Sequence, residues 1–393
     1  MLAYATDLPA VRPASPRCPS AGPHNVPVRT PTRLSYRPEL DGVRAIAVLG
    51  VLGFHLSFMD PRLRYIAGGG FLGVDVFFVL SGMLITQLLL AEYAQTGSLG
   101  LPGFYARRAR RLLPALAALL VIYLVYSSLV HSDGGAILRG LWSELSYETT
   151  GQLTAPYPNG ISQTWTLVVE WEFYLIWPFV MWALLRRGSR QTLLAVTVGL
   201  ALLDAVARGL VYHHNHDFIL GYHLAGFRID ELLIGSALAQ LPRPSRVPTA
   251  VRTVAAAGVL VAIGAARYPQ SWLYLGGMTA LALATAAVIA PGTGGWFGQW
   301  VLSLPPLVWL GRISYSLYLW HVPAVTEIGH RTTGWPNPIR VVVSIAVSLL
   351  LASASYYLVE QRFRRSSRRA LHDDAELMGQ TDGTSVATSV RPS

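Results

Sequence analysis

Two ionisable residues in one apolar stretch carry the first chemical signal. In LDGVRAIAVLGVLGFHLSFM, Arg44 and His55 stand eleven positions apart. On a helix that is about three turns, so a guanidinium and an imidazole share nearly one face with ~16 Å of rise between them. An imidazole can take a proton from a hydroxyl, and a guanidinium can hold a phosphate. The spacing suits a CoA thioester, whose phosphates need a cation at the entrance while the pantetheine arm delivers the thioester to a base about that far in. A competing reading has Arg44 snorkelling to an interface and His55 bonding a backbone carbonyl.

Five further segments carry ionisable groups in apolar text. GVDVFFVLSGMLI holds Asp75, a carboxylate suited to fixing the tautomer of a nearby imidazole, and Gly82, which permits close helix packing. FYARRARRLLP brings Arg107, Arg108, Arg110 and Arg111, able to grip the phosphates of a nucleotide-containing donor or to anchor a span at an interface. In TWTLVVEWEFYLIWP, Glu170 shares a face with Tyr174 while Glu172 points nearly opposite, so Glu170 is the carboxylate expected to face inward. FRIDELLIG sets Arg228 three positions from Glu231, the spacing of an intramembrane ion pair, with Asp230 pointing elsewhere. In GRISYSLYLWHVP, Ser314, Tyr318 and His321 fall on one stripe, with His321 at a depth comparable with His55. HHNH at 213–216 has the look of metal text, but no metal site is assigned, and the single cysteine, Cys18, excludes a disulfide framework or a CxxC site.

The elements that must position these groups follow from composition. Hydrophobic residues make up 52% of the chain and charged residues 13%, where a soluble domain carries about a quarter charged. Apolar runs of a length to cross hydrocarbon recur at Val43–Met59, Phe71–Ala91, Leu112–Val130, Thr164–Leu185, Thr192–Tyr212, Leu224–Leu241, Val251–Ala266, Trp272–Ala290, Val308–Ile328 and Val341–Val359. The fold class expected is therefore all-α, a polytopic membrane helix bundle of about ten transmembrane helices. Placing the N-terminus inside puts Arg33, Arg37, Arg44, the 107–111 cluster, Arg186, Arg187, Arg190, Arg243, Arg246, Arg252, Arg312 and the arginines from Arg362 to Arg369 on the cytoplasmic side, as the positive-inside rule requires. Arg331 and Arg340 are mild exceptions. The net charge of +10 thus reads as topology and not as a nucleic-acid surface. Residues 134–152, with Arg139, Glu144 and Glu148, break the pattern and are expected to form an outer re-entrant or interfacial segment. Residues 1–35 are expected to be a disordered basic cytoplasmic tail, 36–365 the transmembrane domain, and 366–393 a second disordered cytoplasmic tail.

This topology sorts the chemistry into two poles, with His55, Asp75, Glu170, Arg228 and His321 towards the outer half and Arg44 with the 107–111 cluster at the inner boundary. The segments quoted, in this order, resemble the acyltransferase 3 family of bacterial integral-membrane O-acyltransferases over roughly residues 36–365. The resemblance implies a bacterial cell-membrane enzyme with ten core helices, both termini cytoplasmic and acyl-CoA, acetyl-CoA above all, as donor. It implies His55 as the essential catalytic residue, Arg44 and the arginine cluster as CoA-binding, and Asp75 and Glu170 as the family's aspartate and VExxFY glutamate, catalytic carboxylates of which one or the other is expected to orient His55. Thr166, Val168, Trp171 and Glu172 depart from the common family text and bear on specificity. The appended hydrolase-like domain of some relatives is not expected after Val359. The acceptor expected is a hydroxyl of a carbohydrate or of a polyketide such as a macrolide, with envelope glycan or peptidoglycan sugars as the alternative. A proton-coupled transporter would also keep buried His and Glu residues, but transporters often show internal repeats and no duplicated motif links the two halves.

Overall fold

The computed structural model describes residues 36–130, 160–216, 225–242, 246–292 and 295–363. The two expected tails and the expected re-entrant segment lie outside these residues, as do Arg33, Arg243 and the arginines after 363. Ten helices of at least 12 residues order the described chain: α1 Pro38–Leu56, α2 Gly73–Thr96, α3 Leu101–Val130, α4 Trp165–Arg187, α5 Arg190–Asn215, α6 Ile229–Gln240, α7 Thr249–Ala265, α8 Met278–Ile289, α9 Pro305–Arg331 and α10 Asn337–Ser355. Each predicted apolar run falls on one of them. Among the described residues there is no strand beyond an isolated bridge between Val247 and Gly292.

Local sequence explains the ends. Pro38 opens α1 with Glu39 and Asp41 in the first turn, where a fixed φ and negative charge suit a helix N-terminus. Ser189 caps α5 by accepting from the Thr192 amide, and Gly97 closes α2 at φ 69°, a left-handed position that favours glycine. Five helical stretches are long and apolar enough to cross a membrane: Gly70–Thr96, Leu101–Val130, Ser162–Arg187, Arg190–Asn215 and Asn337–Phe363. Helix α6 runs for only 12 residues and α8 follows a π-turn at Leu273–Gly277, so these two are shorter than the apolar runs that predicted them.

Packing is closest where side chains are smallest. A Cβ on Gly82 would fall on the Leu232 carbonyl and one on Gly235 on the Val79 carbonyl, so α2 and α6 touch backbone to backbone. Helices α1, α2, α6 and α9 form the centre, with Val48, Val51, Val79, Leu80, Leu232 and Leu317 buried there. The outer surface is apolar instead of charged: Leu129, Leu203, Val254 and Leu350 are each at least 65% exposed, as expected of a surface solvated by lipid.

Candidate active site

Three groups of polar side chains form inside the bundle. The first lines a cavity of about 100 Å³ bounded by α1, α2, α3, α4, α9 and the π-turn Tyr356–Glu360. Arg44 reaches it from α1, Arg108 and Arg111 from α3, Arg312 from α9, and Glu170 from α4. Ser81 donates to Glu170 Oε1 at 2.6 Å, and the Arg108 guanidinium lies 5.7 Å from the Tyr174 ring centroid. Arg44 is 3.7 Å from Asp41, one turn earlier on its own helix. The π-turn swings Glu360 inward, where its carboxylate accepts from Ser316 at 3.3 Å. Four guanidinium groups against two carboxylates on the wall make a cationic cavity with donors in the fork geometry that phosphate oxygens take.

The expected arginine cluster divides along its helix. Arg108 and Arg111 are three apart and share the cavity face, whereas Arg107 turns outward to an exposed bridge with Glu92 at 3.1 Å and Arg110 is likewise exposed. A turn of about 100° per residue cannot aim all four at one ligand.

The second group is a histidine pair. His55 Nδ1 is 2.9 Å from the Val51 carbonyl and 3.3 Å from His321 Nε2, and His321 Nδ1 is 2.7 Å from the Tyr318 carbonyl. A carbonyl only accepts, so each Nδ1 carries the hydrogen and each Nε2 keeps its lone pair. The His55 Nδ1–H is then shared between Val51 and His321, and its Nε2 has no protein partner among the described residues. His321 is fully buried while His55 is half-buried, with Phe54 edge-on to its ring at 5.3 Å. Between the pair and the cavity stands Tyr318, whose hydroxyl is 2.8 Å from Thr166 and donates to the Gln163 carbonyl at 3.1 Å. Ser314 joins the cavity wall one turn below Tyr318.

The third group is an ion network. Arg208 on α5 makes a bidentate pair with Asp230 at 2.6 and 2.9 Å and donates to Thr279, which bonds the same carboxylate. Arg228 bridges Asp75 at 3.1 Å and Glu231 at 3.0 Å, and the amide of Asp230 donates to Asp204. Asp75, Arg208, Arg228, Asp230 and Glu231 are all 0% exposed.

This arrangement corrects the two-pole expectation. Asp75 does not orient the imidazole of His55: its carboxylate lies on Arg228, and His321 occupies the place beside Nδ1. Glu170 belongs to the arginine cavity through Ser81 and not to the histidines. Arg228 and Glu231 pair as their spacing predicts, but Asp230 does not point away from the network; it takes Arg208. Sequence reasoning passes over Arg208 and Asp204, although two ionisable residues four apart in an apolar run are a signal in themselves. It also passes over Ser81, Glu360 and Tyr315, a wall residue of the arginine cavity that donates to the Leu112 carbonyl, and nothing in the local text marks them. Among the described residues no group of histidine, cysteine and carboxylate side chains is placed to hold a metal.

Comparison with known proteins identifies relatives of this chain. The chain is 32% identical to the peptidoglycan O-acetyltransferase OatA of Listeria monocytogenes over 367 residues, covering 84% of this chain and 56% of that protein. It is 34% identical to the provisionally named peptidoglycan O-acetyltransferase YrhL of Bacillus subtilis over 85% of this chain and 56% of the relative, and 31% identical to a provisionally named O-acetyltransferase of Staphylococcus aureus strain MSSA476 over 86% and 59%. The chain thus spans little more than half the length of these relatives. No solved structure matches it. The family described as "Acyltransferase domain" matches residues 37–357, which takes in α1 through α10 and the three polar groups apart from Glu360, and the chain is a member of this acyltransferase 3 family of membrane proteins.

Proposed function

We propose that the protein is an acyl-CoA-dependent O-acyltransferase that takes an acyl group, acetyl first, at the cytoplasmic face and places it on a hydroxyl of a cell-wall sugar. The observation that carries this reading is the placement of two chemistries on α1. Arg44 enters a cavity of guanidinium groups, and about 16 Å further along the same helix His55 presents an imidazole lone pair held in position from behind.

Arg44, Arg108, Arg111 and Arg312 hold the donor's phosphates, with Glu170 fixed by Ser81 to space them. His55 Nε2 accepts the proton of the acceptor hydroxyl as its oxygen bonds the thioester carbonyl carbon; the C–S bond breaks, and the proton passes on to the departing thiolate, giving an ester and a free thiol. His321 accepts from the Nδ1–H and favours the cationic ring that forms in this step. All ten helices are taken to cross the bilayer, both termini to be cytoplasmic, and residues 36–365 to be the catalytic unit.

The printed names of the relatives favour a peptidoglycan sugar over a polyketide as acceptor. The transporter reading would give the buried carboxylates a cargo or proton to carry; their pairing with Arg208 and Arg228 argues for a structural role instead. Mass analysis of cell-wall sugars from cells with and without the gene tests the reading. The expected result is a base-labile acetyl ester on muramic acid or glucosamine only when the gene is present. Unchanged wall sugars would remove the glycan from the proposal.

A further inference from the structure

The arginine cavity has a direction. Arg44, Arg108 and Arg111 are half-buried on its walls, whereas Arg312 is exposed, so the cavity opens at Arg312. Tyr36 stands at this opening. Its hydroxyl accepts from Arg312 at 3.1 Å and donates to Asp41 at 2.7 Å, and the other oxygen of Asp41 faces Arg44 at 3.7 Å. Two arginines of the cavity are thereby tied together through one tyrosine hydroxyl and one carboxylate.

The rest of Tyr36 is open. The residue is 62% exposed, with the Arg312 guanidinium 5.7 Å from its ring centroid. The backbone that follows is anchored: Arg37 donates to Glu39 at 2.7 Å and to the Ile289 carbonyl at 2.9 Å, and Pro38 opens α1. A ring fixed at its hydroxyl and beside its backbone has little rotamer freedom left to lose when a ligand settles on it.

The chemistry of the donor says what such a ring meets. In CoA the diphosphate lies between the pantetheine arm and the adenosine. On the acyl-CoA reading proposed above, on which this inference rests, the arm runs inward towards His55 and the arginines hold the phosphates. The adenosine end must then leave the cavity where Arg312 and Tyr36 stand. A purine offers a π-face, and bases stack readily on aromatic side chains at the mouths of cationic grooves.

We propose that Tyr36 is the platform on which the adenine base of the donor stacks, and that it selects CoA thioesters over shorter pantetheine thioesters. An interaction so far from the thioester is made equally in the ground state and the transition state. It lowers the Michaelis constant and leaves kcat unchanged.

The test gives full-length protein in detergent either acetyl-CoA or S-acetyl-phosphopantetheine, which keeps the thioester and one phosphate but lacks the adenosine, and follows thiol release. Tyr36→Ala should raise the apparent Michaelis constant for acetyl-CoA about five- to 150-fold, the range for one base stacked on an aromatic ring, with kcat unchanged. For S-acetyl-phosphopantetheine the constant should stay as in the wild type. Tyr36→Phe keeps the ring and should recover most of the loss, which separates stacking from the hydroxyl's bonds to Arg312 and Asp41. Tyr65→Ala, at a residue 81% exposed between α1 and α2, should leave both constants unchanged. A folding defect would lower the rate with both donors and could not change the ratio of their constants. An equal rise for both donors, or no rise for acetyl-CoA, would overturn the stacking and leave the acyl-CoA reading in place. Wild-type protein that releases thiol from neither donor would overturn that reading and this inference with it.

Discussion

His55 and His321 stand 266 residues apart in sequence and 3.3 Å apart in space, and that contact defines what each can do. In the proposed reaction His321 acts on the acceptor only through His55, as a positioning residue. Its removal should lower kcat about tenfold, the worth of one hydrogen bond to a group that becomes charged, and leave the Michaelis constant for acetyl-CoA unchanged. His321→Gln, which keeps an acceptor at that position, should recover part of the loss; steady-state thiol release measures both. Equal activity in His321→Ala would return the residue to a satisfied bundle histidine. The divided arginine cluster makes a second prediction at this scale. Arg108→Ala and Arg111→Ala should each raise the apparent Michaelis constant for acetyl-CoA about tenfold or more. Arg107→Ala, which breaks only an exposed bridge to Glu92, should change it by no more than about fivefold. If Arg107→Ala has the larger effect, the donor lies on the outer face of α3. The sequence made Arg44, His55, Glu170 and His321 legible as ionisable groups in apolar text, because such groups persist in a membrane only for a reason. It could not reveal their partners, since partnership depends on how helices dock and not on spacing within one helix. Asp75 shows the limit: its type suited an imidazole, yet the nearest strong partner proved to be Arg228.

At the scale of elements, the central helices meet through glycine and through buried charge. The backbone contact of α2 with α6 at Gly82 and Gly235 brings Asp75 and Arg228 within 3.1 Å, and the Arg208–Asp230 fork ties α5 to α6. Removing one partner of such a pair leaves an uncompensated charge in a dry interior, at a cost of about 3–5 kcal/mol. Asp230→Ala should therefore lower the thermal midpoint in detergent sharply and reduce folded yield, while Arg208→Met with Asp230→Leu should recover much of it. A midpoint unaffected by Asp230→Ala would mean that the network holds nothing together. Helix positions were legible because apolar run length and flanking arginines report them directly. Helices α6 and α8 came out shorter than their apolar runs because backbone geometry interrupts the start of each: Arg228 sits outside helical φ/ψ before α6, and Gly276 at φ 131° marks the kink before α8. The π-turn that brings Glu360 to the cavity was not legible, since one extra residue in a helical turn leaves the hydrophobic pattern almost unchanged.

At the scale of the molecule, three polar groups sit among the described residues in an apolar body: a cationic cavity, a histidine pair beyond Tyr318, and an ion network that fastens the helices around them. The cavity and the pair lie on a path that runs with α1 from its arginine to its histidine, so the donor should be usable from one membrane face only. Sealed inverted vesicles, which present the cytoplasmic face to the medium, test this together with the role of His55. With acetyl-CoA added outside, wild-type vesicles should release thiol, vesicles of the opposite orientation should not, and His55→Ala should lower the rate about 100-fold or more. Thiol release by His55→Ala at the wild-type rate, with equal protein in the membrane, would contradict the account.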